Sequence, residues 1–276
     1  MTEKESYSVL MSVYAKESPL FLSESIKSLF GQTHQTNDFV LVIDGPIGKE
    51  LEEVIDYYSK VNPAILKVIR LEKNGGLGNA LRIGLKECKN EYVMRADSDD
   101  VSLPERAEKS LLLMKRNGLD VMSSTVELID SKTEEHLGYR NVPLSYKDIV
   151  FFSKRRCPFN HPSVFFKKTS VESVGGYKPL IYKEDYFLWV RMLQNGAVAE
   201  NTPESLVKMR VDRSTIGRRK NKEALSSQKR LMKYMKETKY NNAIDRLISK
   251  AGFEFLYFAP SWLANYLYKR AWNSKK

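Results

Sequence analysis

The stretch "EYVMRADSDDVSLPERAEKSLLLMKRNG", Glu91 to Gly118, decides the fold. "EYVMRA" is short and largely apolar, which predicts a buried strand. "DSDD" follows at once, and its Asp and Ser are turn residues. "VSLPERAEKSLLLMKRNG" then spaces its apolar residues as a helix does. Ser102 and Glu105 make a capping-box pattern, with Pro104 tolerated in the first turn. Strand, acidic loop and helix in this order form one unit of an α/β fold. The loop raises its own question. Asp97, Asp99 and Asp100 fall within four positions, and charges so close repel unless something positive joins them.

Upstream, the same unit recurs. "SYSVLMSVY" is β-rich and apolar, and "SPLFLSESIKSLFGQ" has helical spacing with Ser18 as N-cap and Pro19 at N1. "DFVLVID" is a second buried strand and "IGKELEEVIDYYSKV" an amphipathic helix. "LKVIRL" is a third strand and "GLGNALRIGLKEC" a third helix. The alternation predicts a Rossmann-like α/β fold, a mostly parallel sheet covered by helices on both faces. Such sheets bind ligands beyond the carboxyl ends of their strands. Ser12-Val13-Tyr14, Asp44-Gly45 and the DSDD loop all fall on that edge.

Downstream, from Val121 to Glu200, the pattern is less regular. "VMSSTVELID" reads as a strand, "CPFNHPSVFFKK" as a Pro-broken loop running into a short strand. "GGYKPLIYKEDYFLWVRMLQNG" is a turn and then a helix beginning near Glu184. Beyond Lys208 a helical, strongly basic segment is expected. The division predicted is a domain over 1–210 and a C-terminal helical extension over 211–276.

Charge supports that division. The net charge is +11 over 276 residues. From Lys208 to the end there are 18 basic and 5 acidic residues, or +13; the first 207 residues carry 27 and 29, or −2. A near-neutral body with a basic tail speaks against a nucleic-acid-binding body, which would show a basic stripe with interleaved aromatics. Cys88 and Cys157 form no disulfide framework, and the polar start "MTEKESYSVL" has no secretory pattern. Both predict the cytoplasm. No apolar run has the length of a membrane span.

A lone Asp-Ser-Asp-Asp reads equally well as a solvated turn. Its place after a buried strand, at the ligand edge of the sheet, favours a hard cation, Mn²⁺ or Mg²⁺. Such an ion takes one or two carboxylates and completes its shell with water and substrate phosphates. The loop lacks the Gly and closing Glu of an EF-hand.

With these parts in order, the chain resembles a family 2 glycosyltransferase of the GT-A fold and is similar to bacterial exopolysaccharide and capsule glycosyltransferases. The resemblance covers residues 8–210. It rests on "SVLMSVY", "SIKSLFGQT", "LVIDG", "NGGLGNALRIGL", "RADSDD" (a DxD motif), "HPSVFF" and "GGYKPLIYKEDYFLWVRM" (a Glu-Asp motif). Any one of these is weak, and the ordered set is specific. The resemblance implies that Val13 and Tyr14 present backbone to a nucleotide base, with Ser12 beside them. Asp44 would accept a hydrogen bond from the base, uracil by preference. Asp99 would ligate the metal, and Asp97 would reach the ribose or a metal-bound water. Asp185 would be the catalytic base, Glu184 would help place acceptor or donor sugar, and His161 would line the acceptor side. It further implies a nucleotide-sugar donor, a saccharide or lipid-linked acceptor, and single displacement with inversion. A metal would stabilise the diphosphate leaving group, and one carboxylate would take the acceptor proton. A retaining hydrolase, by contrast, needs a second carboxylate as nucleophile.

Position alone favours a plainer role for several of these residues. An acid at a helix start such as Asp185 is favoured by capping and dipole. Asp44 before Gly45 suits a turn. The pair Cys157 and His161 lies in a Pro-broken loop with no orienting third group, which argues against a thiol nucleophile. Two departures from the family pattern stand out. Ile43 replaces the first acid of the second motif, and Leu81-Arg82 replaces the Arg-Asn of the third helix, leaving Arg82 as a possible phosphate contact. "NGGLG" is neither a complete G-x-G-x-x-G nor a Walker A loop.

The tail ends in an uncharged aromatic stretch, Phe255 to Tyr268, followed by Lys269 and Arg270. It suits an interfacial segment on an anionic membrane surface, placing the protein on the cytoplasmic face. Packing on the body or across a homodimer would use the same residues. Two other classes remain: a degenerate transferase fold holding a polyanion or nucleic acid, and a nucleotidyltransferase. The latter usually carries a Gly-rich basic N-terminal loop, which "MSVYAKESP" is not.

Overall fold

The computed structural model describes residues 5–212, 221–260 and 263. Four parallel strands form its first half: β1 (Tyr7–Val13), β2 (Asp38–Ile43), β3 (Leu66–Arg70) and β4 (Tyr92–Asp97). Their near-continuous apolar runs follow from burial on both faces. On one side, α1 (Pro19–Phe30), α2 (Lys49–Val61) and α4 (Arg106–Arg116) pack Leu22, Ile26, Leu51 and Leu111 against Val9, Met11, Phe39 and Leu41. On the other, α3 (Leu77–Glu87) and α7 (Glu184–Gln194) pack Leu81, Leu85, Leu188 and Trp189 against Leu10, Val40, Val42 and Val93. Alternate residues of β1 thus serve two cores, as period-2 geometry requires. Ser18 caps α1 through Phe21 N–H at 3.4 Å, with Pro19 in its first turn.

Among the described residues the sheet runs β3-β2-β1-β4-β8-β6-β9-β5, with β7 on β6. The added strands are β5 (Val101–Ser102), β6 (Val121–Asp130), β7 (His136–Arg140), β8 (Phe165–Lys167) and β9 (Ala199–Val211). β8 is antiparallel to β4 and to β6, while β6 and β9 are parallel. Between them lie α5 (Tyr146–Ser153) and α6 (Lys168–Ser173), then α8 (Lys222–Glu237) and α9 (Ala243–Phe258) follow β9. Leu231 and Met235 of α8 pack on Tyr186 and Val190 of α7. The mostly parallel α/β sheet and the C-terminal helices are as the sequence predicts.

Two local expectations are corrected. Ser102 does not cap α4. It lies in β5 and pairs with Val207, and the helix starts at Arg106 with no side-chain cap at Glu105. Strand pairing across a long sequence separation outweighs the local capping pattern, and the Ser102 hydroxyl instead accepts from Arg106 Nη1 at 2.9 Å. The segment past Lys208 does not turn helical at once, because β9 runs on to Val211 against Asp130. Half of the aromatic stretch Phe255–Tyr268 (261, 262 and 264–268), with Lys269 and Arg270, lies outside the described residues. Among the described residues, no helix is long and apolar enough to cross a membrane.

Candidate active site

Register brings the first site residues together. Ser12 pairs with Asp97 across β1 and β4, and Val13 C=O accepts Asp44 N–H at 2.8 Å. Ser12, Val13, Asp44 and Asp97 therefore line one edge, the carboxyl ends of the parallel strands. Tyr14 follows them and is exposed. Asp44 is buried, and its two carboxylate oxygens accept the N–H groups of Gly75 at 2.7 Å and Gly76 at 2.9 Å. It thereby ties the turn before α3 to the end of β2. Gly45 has φ 86°, and a Cβ there would meet Asn74 N at 2.5 Å, so this close approach requires glycine. Base recognition by Asp44 would use the lone pairs these bonds leave.

The acid loop gathers Asp97, Asp99 and Asp100, with one ligand oxygen from each lying within 4.8 Å of the others. Burial, then Asp97 and Glu17, push the Asp99 carboxyl up to about 7. Burial, then Asp99 and Asp97, hold Asp100 well above the usual carboxylate range. The protein supplies part of the missing positive charge itself. Arg95, 1 % exposed, makes an ion pair with Asp97. Arg210 donates its backbone N–H to Asp100 at 2.9 Å and its Nη1 to the Asp99 carbonyl at 2.8 Å. Arg95 Nη1 meets Asp97, while its Nε has no hydrogen-bond partner among the described residues. An all-oxygen cluster whose acids are pushed toward the neutral form is a site that a divalent cation would relieve. These residues fit Mn²⁺ or Mg²⁺.

The second acid pair opens α7. Burial, then Asp185, push Glu184 up to about 7, while Arg95 acts in the opposite sense. Gly78 of α3 lies so close that a Cβ there would be 2.9 Å from the Glu184 Cβ. Asp185 Oδ1 accepts Tyr186 N–H at 2.6 Å, and Cys157 Sγ lies 3.8 Å from its Oδ2. Burial and Asp185 raise the Cys157 thiol far above its usual range, so it is held as a thiol. That physics opposes a nucleophilic role. His161 packs edge-on to Trp189, and its Nε2 lies 3.2 Å from Tyr177 Oη. Burial and then Arg95 hold its pKa well below the usual value, so the ring is neutral. Arg82 is exposed on α3 and donates to Asn79 Oδ1 at 2.8 Å.

Sequence reasoning named the acids and missed the cations among them. Arg95, Arg106 and Arg210 are all buried. Arg106 donates to the Arg95 carbonyl from beneath, and burial and Arg95 lower its pKa to about 9. A signal existed: Arg95 occupies a strand between Met94 and Ala96, where a charge demands a partner.

Residues 8–175 match the model described as "Glycosyl transferase family 2". A UDP-Gal:alpha-D-GlcNAc-diphosphoundecaprenol beta-1,3-galactosyltransferase from Escherichia coli is 37% identical over 96% of this chain and 95% of its own length. The amylovoran biosynthesis glycosyltransferase AmsE of Erwinia amylovora is 38% identical over 78% of this chain and 79% of its own. The Pyrobaculum calidifontis mannosyltransferase PcManGT, solved with GDP-Man and Mn²⁺, superposes with a TM-score of 0.66 at 15% identity. It covers 96% of this chain and 73% of its own, and that likeness concerns the fold.

Proposed function

The chain belongs to glycosyl transferase family 2, and on that premise we propose what it transfers and how. The donor is a UDP-sugar. The acceptor is a hydroxyl of a saccharide or lipid-linked saccharide in cell-surface polysaccharide synthesis, and the anomeric carbon is inverted. Residues 1–210 form the transfer domain and 211–276 its extension. The names of the Escherichia coli and Erwinia relatives support the donor and the polysaccharide setting. One observation carries the reading. Two acid pairs from distant segments, Asp97 with Asp99 and Glu184 with Asp185, gather about the buried Arg95: it forms an ion pair with Asp97 and acts on both Asp99 and Glu184, and Asp97 in turn acts on Glu184.

In this reading Asp99, with Asp97, holds Mn²⁺ or Mg²⁺. When bound, the ion supplies Lewis-acid stabilisation to the departing diphosphate. Ser12, Val13, Tyr14 and Asp44 hold the nucleoside at the strand ends, and Arg82 is a candidate for the phosphates. Asp185 takes the proton of the acceptor hydroxyl as it attacks. Glu184 and His161 shape the acceptor side. A neutral His161 can exchange a hydrogen bond there without adding charge. No protein nucleophile is required, so one displacement inverts the sugar carbon.

The test is calorimetric titration with UDP, with and without Mn²⁺, beside GDP and ADP. Binding of UDP alone, and only with metal, is expected. No nucleotide binding under either condition would return the acid loop to a solvated turn. Asp185→Asn should keep UDP binding and lower transfer by about 10²–10⁴-fold. Wild-type turnover in that variant would place the base elsewhere.

A further inference from the structure

In the sequence Arg210 counts only toward the basic excess past Lys208. The fold buries it, and its side chain is 3 % exposed. It sits on β9 beside Ile129 of β6, and three parts of the chain converge on it. Its backbone N–H donates to Asp100 Oδ1 at 2.9 Å, and its Nη1 donates to the Asp99 carbonyl at 2.8 Å. Its Nη2 forms ion pairs with Glu24 of α1 and, at 2.9 Å, with Glu134 in the turn between β6 and β7. The guanidinium carbon lies 4.5 Å from the centroid of the Phe21 ring of α1.

Arg210 differs from Arg95 in what its charge meets. Arg95 forms an ion pair with Asp97 and acts on the carboxyls of Asp99 and Asp100. The Arg210 side chain reaches the loop at a backbone carbonyl, and its charge is answered by Glu24 and Glu134. It contributes geometry to the acid loop more than charge. Glu134 points the same way. Its φ is 57°, in the left-handed region that disfavours any residue with a Cβ, and from there it reaches a buried arginine. Pairing of Val101 and Ser102 with Lys208 and Val207 holds the end of the loop on β9. Arg210 extends that support to Asp100 and Asp99.

We infer that Arg210 is a positioning residue for the metal site: through the Asp99 carbonyl and the Asp100 carboxylate it fixes the loop so that Asp97 and Asp99 converge on one cation. A planar fork can hold a carbonyl and carboxylates at once, whereas an ammonium is a point charge. Groups outside the ligand shell that orient the ligands are worth about 10–100-fold in metal affinity. This role rests on the reading of the acid loop proposed above, as a site for Mn²⁺ or Mg²⁺.

The experiment titrates the full chain with Mn²⁺ alone and reads free Mn²⁺ by electron paramagnetic resonance, for wild type, Arg210→Met and Arg210→Lys. Charge and positioning predict opposite signs. Arg210→Met takes a cation from beside a cation site and frees two carboxylates, so on charge alone it should bind Mn²⁺ more tightly. As a loss of positioning it should bind at least about tenfold more weakly. Arg210→Lys keeps the charge and the backbone N–H to Asp100 but not the fork. Charge alone predicts no change there, and positioning again predicts about tenfold weaker binding. Far-UV spectra and melting in chelator show that each variant is folded, and the Lys variant decides if the Met variant is not. A folded variant that binds Mn²⁺ as tightly as wild type, or more tightly, would overturn the inference and leave the metal reading intact. A wild type that takes up no Mn²⁺ would overturn both.

Discussion

Replacing Asp99 by Asn should stabilise the metal-free protein while abolishing its metal-dependent nucleotide binding. The carboxyl's ordinary value is 3.8, and in the fold it is pushed up to about 7 by burial and by Asp97 and Glu17. A raised carboxyl means that the folded state keeps a proton the unfolded chain has lost. The metal-free fold therefore loses stability as pH rises from about 4 to about 7, and bears the full penalty above that window. Each pKa unit is worth about 1.4 kcal/mol, so the ceiling is about 4 kcal/mol. Asp99 is half-buried with Arg95 and Arg210 alongside, and screening brings the expected gain to about 1–2 kcal/mol. The main contact Arg210 makes here is to the Asp99 backbone carbonyl, which the substitution keeps. At about 2–4 °C per kcal/mol, Asp99→Asn should melt about 2–8 °C above wild type in chelator at pH 8. At pH 5 about a third of that difference should remain. Saturating Mn²⁺ at about 100 times its Kd should then raise the wild type at pH 8 by about 2.7 kcal/mol and leave the variant unmoved. The assay is thermal unfolding from pH 5 to 8, with chelator and with Mn²⁺. A variant less stable than wild type at pH 8 in chelator, or a gain independent of pH, would refute the charge argument.

Two further outcomes follow from packing around the site. Gly78→Ala places a methyl group 2.9 Å from the Glu184 Cβ; overpacking should cost about 1–3 kcal/mol in urea unfolding and lower transfer with UDP binding retained. A silent substitution would mean that α3 and α7 yield freely. Arg95→Met removes the buried partner of Asp97, and a loss of about 3 kcal/mol is expected, together with weaker Mn²⁺ binding measured by calorimetry. Unchanged Mn²⁺ affinity in that variant would show that Arg95 does not position the acid loop.

Some of this could be read from residues alone, because it is local or periodic. Apolar runs such as "FVLVI" alternate with helical spacing, and that pattern needs a two-faced parallel sheet whichever partners are chosen. Ser18 and Pro19 specify a helix start by contacts within one turn. The acids of the DSDD loop and of Glu184-Asp185 are legible because each pair is contiguous, and their order along the chain carries the family resemblance.

The tertiary structure decided whatever depends on partners far apart in sequence. Ser102 has a capping pattern, yet strand pairing with Val207 takes it, and β9 stays extended to Val211 because β6 lies beside it. Asp44 reads as a turn residue or a base ligand, and only folding brings Gly75 and Gly76 to its carboxylate. The charge balance of the acid loop is likewise decided by folding. Arg95 supplies a built-in positive charge, yet Asp99 and Asp100 still lie above the ordinary carboxylate range. Burial strengthens the repulsion that sequence could only name, because low dielectric magnifies each uncompensated charge, and burial is a property of the assembled sheet and helices.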